Sequence, residues 1–258
     1  MEFIEYRREK RIATIIFNRP TVYNAINRQM ALDIQNALDT AGKDPEIRVI
    51  VLTGNGKGFC AGQDLNNIPE LNEEEITRMV KEQYTPIISR ITLLEKPVLA
   101  AVNGPAAGAG MNIALACDIV VARESAKFIQ GFGKIGLIPD AGGTYFLPRL
   151  IGLSRARAFA FLNEAISAKD AEIIGLIYKA VQDEVFENYV RDLSEKLAGM
   201  ATRAIGLTKI AFLSTWDNDL KEQLALEEKL QAVAGSTHDA REGVNAFLEK
   251  RPPKFTGC

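Results

Sequence analysis

Two runs of unbroken apolar residues, within residues 48–53 (Arg-Val-Ile-Val-Leu-Thr) and 97–102 (Pro-Val-Leu-Ala-Ala-Val), each pass straight into a glycine-rich loop that precedes a helix. A strand apolar at every position has no face for water, so it belongs inside a parallel sheet covered on both sides by helices. The loops, Gly54-Asn-Gly-Lys-Gly-Phe-Cys-Ala-Gly-Gln-Asp64 and Asn103-Gly-Pro-Ala-Ala-Gly-Ala-Gly110, then lie at one end of that sheet, where open α/β folds bind ligands. Small residues let a ligand come close to the backbone. Two N–H groups converging on one carbonyl oxygen would form an oxyanion hole. Close strand–helix packing without any ligand is the other use of such a loop. Neither loop has the GxxxxGK[ST] spacing, and the second lacks GxGxxG, so a phosphate cradle is disfavoured.

Along the chain, residues 11–18 form a β-branched run ended by Arg19-Pro20, a strand and its stop. Asn27 can cap a helix with Met30, Ile34, Ala37, Leu38 and Ala41 on one face and Gly42 as its stop. Residues 73–94 read as one long amphipathic helix, and 111–117 as a short one. Residues 118–122 and 126–130 are strands, and Ser167 starts a helix that ends at Gly175. From about residue 187 the pattern is helical, with breaks expected near Gly206, Gly235 and Pro252-Pro253. Strands alternate with helices before that point, which reads as α/β followed by a helical C-terminal segment.

The stretch Ile135-Gly-Leu-Ile-Pro-Asp-Ala-Gly-Gly-Thr144 sets one acidic residue, Asp140, between an apolar run and a glycine pair. Ile135, Leu137 and Ile138 are expected to be buried, with a helix starting near Thr144. Asp140 then has two readings. Aspartate is a favoured N-cap, and a carboxylate at a cavity wall is also a proton acceptor with a raised pKa.

A net charge of -2 leaves no electrostatic footprint for nucleic acid or an anionic membrane. Residues 1–10 interleave charges with apolar residues and contain no hydrophobic core of a secretory signal, and no run approaches 18 apolar residues. Three cysteines, Cys60, Cys117 and Cys258, without a CxxC pair disfavour a disulfide framework or zinc site and suit a reducing, cytoplasmic setting. The single histidine, His238, would have to serve any Ser-His-Asp triad, and its neighbours look like a helix-to-helix connection. Cys60 reads as a buried inert thiol, Asp64 as a cap for the next helix, and Tyr84 and Trp216 as core or interface aromatics. No metal site is expected.

Several ordered segments resemble the crotonase (enoyl-CoA hydratase/isomerase) superfamily across essentially the whole chain. They are Asn18-Arg-Pro20 with Asn24-Ala25, residues 58–65, residues 96–104, Gly108-Ala-Gly110, Ala116-Cys-Asp118, residues 136–144, and Leu147-Pro-Arg149. The resemblance implies an α/β fold, a crotonase-like spiral of ββα units over 1–187 with a C-terminal helical trimerisation segment over 188–258. It implies a homotrimer or dimer of trimers, and an acyl-CoA thioester substrate with no separate cofactor, coenzyme A being part of the substrate. By position, the thioester oxygen falls to the backbone amides of Gln63 and Ala109. Val22 and Ala61 would contact the adenine end of CoA, and Gly62, Asp64, Leu65 and Gly108 are further substrate- or CoA-binding positions. Phe247 and Lys250 match positions where a neighbouring subunit can touch CoA.

The chain departs from the hydratases where chemistry is decided. Their two glutamates are replaced by Asn112 and Phe132, neither of which exchanges a proton at neutral pH. Asp140 stands where hydratases carry glycine, which resembles the ring-1,2-epoxyphenylacetyl-CoA isomerase branch. With Asp140 the sole carboxylate left at the inferred hole, the expected activity is an acyl-CoA isomerase. It would shift a C=C bond from β,γ to α,β or convert 1,2-epoxyphenylacetyl-CoA to oxepin-CoA. The alternatives are an enoyl-CoA hydratase and a catalytically silent acyl-CoA-binding oligomer. The acyl pocket wall is expected from residues 65–95 and 128–146.

Overall fold

The structure, a computed structural model, describes residues 1–67 and 72–258; positions 68–71 of the expected pocket wall lie outside them. The chain opens with β1 (Ile4–Glu9), β2 (Ile12–Phe17), α1 (Arg28–Lys43) and β3 (Val49–Gly54). After the first glycine-rich loop come α2 (Glu73–Met79), α3 (Thr85–Leu93), β4 (Val98–Val102), β5 (Ala106–Ala107) and α4 (Ala109–Leu115). β6 (Ile119–Arg123), β7 (Lys127–Ile129), α5 (Gly143–Leu162), β8 (Ile166–Ser167), α6 (Ala168–Ile173) and β9 (Lys179–Val181) follow. The remainder is helical: α7 (Phe186–Ala198), α8 (Thr202–Ser214), α9 (Leu220–Gly235) and α10 (His238–Leu248).

The main sheet has the order β1-β2-β3-β4-β6-β9, parallel from β2 onward, with β1 antiparallel at its edge. A smaller sheet of β5-β7-β8 stands beside it. The apolar strands divide their side chains between two cores by simple alternation. Ile50, Leu52, Val98, Ala100 and Val102 join the large core, which also holds residues of α1, α3 and α4. Val49, Val51, Leu99 and Ala101 form a second cluster with Phe186, Tyr189, Val190 and Leu193 of α7. Both faces are covered, as unbroken apolar strands require.

Asn27 caps α1, its side chain accepting from the Met30 N–H at 2.9 Å, although the helix runs one residue past Gly42. β1 is an addition to the expected strands. Its charges sit on an edge strand whose outer half is exposed, so it shows no apolar alternation. The expected helix over 73–94 is interrupted by a π-turn at Val80–Tyr84. Its cause is Pro86, which lacks the N–H that would bond the Glu82 carbonyl. The buried Gln35 amide takes that carbonyl at 2.9 Å, and the Thr85 N–H bonds Val80 instead.

The helical tail breaks around 199–201, 215–219 and 236–237, and not at Gly206, which lies inside α8. Gly206 is an approach point: a Cβ there would sit 2.4 Å from the Glu95 carbonyl oxygen. Nearby, the Lys209 ammonium pins α8 to the core through the Ile91 carbonyl at 2.6 Å and Asp118 at 2.8 Å. Trp216 is 63% exposed and so is no core residue. His238 opens α10 and has partners after all, Asp239 and Thr256. Among the described residues no helix is long and apolar enough to cross a membrane.

Gly206→Ala is expected to cost about 1–3 kcal/mol through overpacking, lowering the thermal midpoint by about 2–10 °C. Gly235→Ala, at a site with open space for a Cβ, is expected to leave the midpoint unchanged or slightly raised. Scanning calorimetry on both variants checks the contrast.

Candidate active site

The two glycine-rich loops meet at the ends of β3 and β4, and two amide side chains sew them together. Asn24, fully buried with φ +57°, accepts from the Arg19 N–H at 2.8 Å and donates to the carbonyls of Asn55 at 3.0 Å and Gly58 at 2.8 Å. Asn103 accepts from the Gly54 N–H at 3.0 Å and donates to the Gly56 carbonyl at 3.1 Å. Short bridges finish the seam, Cys60 opposite Ala106 and Ile26 opposite Gln63. Arg19, which the motif reading left without a role, holds Asp64 at 2.9 Å and the Ala25 carbonyl at 2.5 Å. Asp64 also accepts from the Asn66 N–H at 3.2 Å, a local cap on the 3-10 turn over 65–67, while its guanidinium partner ties the loop to the end of β2.

Gly62 and Gly108 bring the loops into contact. Gly62 has φ +87°, and a Cβ on it would lie 3.2 Å from the Ala109 nitrogen and 2.9 Å from the Ala107 oxygen. Gly108 has φ +52° and immediately precedes α4. Among the described residues, neither the Gln63 N–H nor the Ala109 N–H donates to another protein group. The two open backbone donors therefore belong to the segments that Gly62 and Gly108 bring together. Ala61 donates to the Tyr23 carbonyl at 2.9 Å, which sets Val22 and Ala61 side by side at the exposed rim, with Leu65 also exposed. Phe247 lies in the last turn of α10 and Lys250 just past its end, and among the described residues the structure records no hydrogen bond from either to these loops.

Asp140 precedes a two-residue turn. Its carbonyl accepts from the Gly143 N–H at 2.8 Å across Ala141 and Gly142, both left-handed at φ +46° and +78°. A left-handed alanine costs about 1 kcal/mol, so the turn is held by its surroundings. The helix that follows has Gly142 as its N-cap and no side-chain cap. The capping reading of Asp140 is thereby corrected: the residue stands two positions too early to reach the first helical N–H groups. Its Oδ1 is buried with no partner among the described residues, and burial, outweighing a hydrogen bond from its own backbone N–H, pushes the carboxyl pKa up to about 6.

Asn112, fully buried on α4 one turn beyond Ala109, donates from Nδ2 to the Asp140 carbonyl at 2.8 Å and accepts from Gln130 Nε2 at 2.9 Å. The Phe132 ring packs near Gly108, 3.8 Å from where a Cβ would stand. Asp140 and the residues at both hydratase-glutamate positions thus converge around the start of α4. Ile135 and Ile138, expected in the core, are instead 49% and 77% exposed, because residues 132–135 form a 3-10 turn that swings the segment outward.

Tyr84 also belongs to this neighbourhood. It is fully buried, and its hydroxyl donates to Gln63 Oε1 at 2.5 Å. Burial and the facing Asp140 carboxylate raise its phenol, which stays protonated. A tyrosine inside an apolar helical stripe was the available signal, since a buried hydroxyl needs a partner. Cys60 is buried and pushed up to about 12, an inert thiol as expected. A cavity of about 690 Å³ between α5 and α8, lined by Phe146, Leu150, Ile205, Phe212 and Trp216, contains none of these loop residues.

Comparison with known proteins gives a consistent result. Residues 7–258 match the enoyl-CoA hydratase/isomerase family. The probable enoyl-CoA hydratase of Rhodobacter capsulatus is 48% identical over 256 residues, 98% of each chain. The 1,2-epoxyphenylacetyl-CoA isomerase of Escherichia coli is 45% identical, covering 100% of this chain and 99% of its own. The crystal structure of an enoyl-CoA hydratase from Bacillus anthracis superposes with a TM-score of 0.94 at 34% identity, covering 99% and 100% of the two chains.

Asn24→Ala would strip three hydrogen bonds from buried backbone groups and put alanine in a left-handed conformation. The expected loss is about 3 kcal/mol, with faster amide hydrogen exchange in residues 54–64 measured by mass spectrometry.

Proposed function

The chain belongs to the enoyl-CoA hydratase/isomerase family, with the crotonase fold and acyl-CoA thioesters as the family's substrates, and on that footing we propose that it is an acyl-CoA isomerase in which Asp140 carries the proton. In this reading the thioester oxygen sits on the Gln63 and Ala109 amides. Asp140 removes a proton from the carbon next to the thioester of a β,γ-enoyl-CoA. The negative charge spreads onto the oxygen, where each backbone donor lowers the barrier by on the order of 3 kcal/mol. Asp140 then returns the proton to the γ carbon, leaving an α,β double bond. The same base and amides would serve conversion of 1,2-epoxyphenylacetyl-CoA to oxepin-CoA; the Escherichia coli relative is named as an isomerase of that substrate.

The observation that carries the reading is the state of Asp140. It is a desolvated carboxyl with an unpartnered buried oxygen, titrating at about 6, beside an asparagine and a phenylalanine that transfer no protons. One base suffices to move a proton within a substrate. Water addition asks for a second group to deliver it, and Asn112 and Phe132 supply none. The name of the Rhodobacter capsulatus relative favours hydration as the second reading, with Asp140 acting on an ordered water.

We propose further that no cofactor is needed besides the coenzyme A of the substrate. We also propose that the working form is a trimer or dimer of trimers, in which Phe247 and Lys250 of one copy reach the CoA of a neighbour. The exposure of Phe247, Ile138 and Leu248 supports an assembly that covers them. Val22, Ala61, Gly62, Asp64, Leu65 and Gly108 line the CoA path in this proposal.

The decisive assay sets 3-hexenoyl-CoA isomerisation, crotonyl-CoA hydration and 1,2-epoxyphenylacetyl-CoA conversion side by side. Isomerisation or epoxide conversion is expected to dominate, and Asp140→Asn to lower that kcat by at least about a hundredfold. A folded variant with near wild-type rate would sink the assignment. The wild-type rate should rise with pH through about 6 as the base ionises.

Stability should run the other way. A carboxyl raised from 3.8 to about 6 favours folding fully below pH 3.8, and that contribution is lost as pH rises through about 6. Asp140→Asn is therefore expected to be more stable than wild type by about 3 kcal/mol at pH 8, with the difference fading toward pH 3.5. Denaturant titrations at the two pH values measure it.

A further inference from the structure

We propose that Gln130 is a positioning residue for proton transfer at Asp140, acting through Asn112. The proposal rests on the reading of Asp140 as the base. Gln130 follows β7, is fully buried, and donates from Nε2 to Asn112 Oδ1 at 2.9 Å. Its other amide atom, Oε1, is buried without a protein partner, and the Met111 sulfur lies 3.7 Å from Nε2. Among protein groups, the bond to Asn112 is thus the strongest polar contact that orients this side chain.

A carboxamide has one oxygen and one NH2 group, so fixing one end fixes the other. With its oxygen held by Gln130, Asn112 must turn Nδ2 toward the 140–143 turn, where it meets the Asp140 carbonyl at 2.8 Å. That carbonyl already accepts from Gly143, so both its lone pairs are occupied and the peptide is locked. Gly143 is what lets Asn112 come so close: a Cβ there would stand 2.4 Å from Nδ2. The consequence lies in what Asn112 does not do. Its NH2 donates to the backbone carbonyl of Asp140 and, among the described residues, makes no hydrogen bond to the carboxylate, where a bond from Asn112 would favour the ionised form and weaken the base. Tyr84, from the π-turn, is the titratable group facing Asp140, and it stays protonated. From α4 and residue 130 the neighbours are neutral amides.

Gln130→Met keeps volume and removes the donor. Asn112 is then free to turn onto the Asp140 carboxylate. The inflection of Asp140 is expected to move down by on the order of one pH unit, and kcat to fall about tenfold or more, with KM changed less than twofold. The inflection is read directly by 13C NMR titration of the aspartate carboxyls, with Asp140→Asn supplying the assignment. This measurement needs no turnover, so the inference and the isomerase reading fail separately. A shifted titration with unchanged kcat supports the positioning and overturns the role of Asp140 as base. An unshifted titration overturns the positioning, whatever the rate does.

Gln130→Glu gives a second, independent readout. While the introduced carboxyl is protonated, its O–H can still donate to Asn112, so at low pH the variant should titrate at Asp140 as wild type does. As that carboxyl ionises, two oxygens face each other and the Asn112 amide is expelled from its position. A descending limb absent from wild type is expected in the kcat profile and a second transition in the Asp140 carbon shift. An Asp140 shift that ignores ionisation of the introduced carboxyl would overturn the proposal.

Discussion

Every feature of this site depends on how buried backbone polar groups are satisfied where there is no helix or sheet to do it. Residues 54–64 and 103–108 dip in and out of the surface, with Gly58, Phe59, Cys60, Gly62, Gly104 and Ala106 buried. Asn24 and Asn103 supply the missing partners from neighbouring segments. An unpaired buried peptide group costs on the order of 1–3 kcal/mol, so several such bonds decide whether the loops hold one shape. Once they do, the two amides left over, of Gln63 and Ala109, become open donors at fixed positions. Rigid satisfaction nearby is what makes unsatisfied groups available at the centre.

The same economy of polar contacts governs Asp140. A strained left-handed alanine and a doubly bonded carbonyl hold its backbone, while Oδ1 of the carboxyl is buried without a partner among the described residues. Burial alone then lifts its pKa to about 6. A carboxylate given a hydrogen bond there would be a weaker base, and one given water would titrate near its ordinary value. Holding the main chain firmly and leaving Oδ1 bare are two sides of one arrangement.

Helix α3 contributes through a defect. Pro86 removes a hydrogen bond that the helix cannot replace, Gln35 takes the orphaned carbonyl, and the extra residue of the π-turn sends Tyr84 onto Gln63. A regular helix over 73–94 would carry the phenol around its axis by roughly a third of a turn, since each residue adds about 100°. The local irregularity is thus the means by which a distant element braces Gln63.

Much of this could be read from the residues in order. Val49 to Leu52 and Val98 to Val102 demand a sheet covered on both faces because no residue in them tolerates water, and the structure supplies α7 on one face and α1, α3 and α4 near the other. Asn27 announces its helix because capping is a contact between residues three apart. The ordered motifs suffice for the family, and Asn112 and Phe132 stand out in the sequence as residues that exchange no proton at neutral pH. Local pattern fails where the deciding partner is far along the chain. Gly206 reads as a helix break, but it lies within a helix because Glu95 presses against it. Ile135 and Ile138 read as core, but they are turned outward. Asp140 taken with its neighbours alone reads first as a cap, the missing glutamates turn that reading toward a base, and the folded turn removes the cap by placing Gly142 at the N-cap position. Short-range bonding is written in adjacent letters; burial and the pKa it sets arise only when segments 28 or more residues apart are brought together.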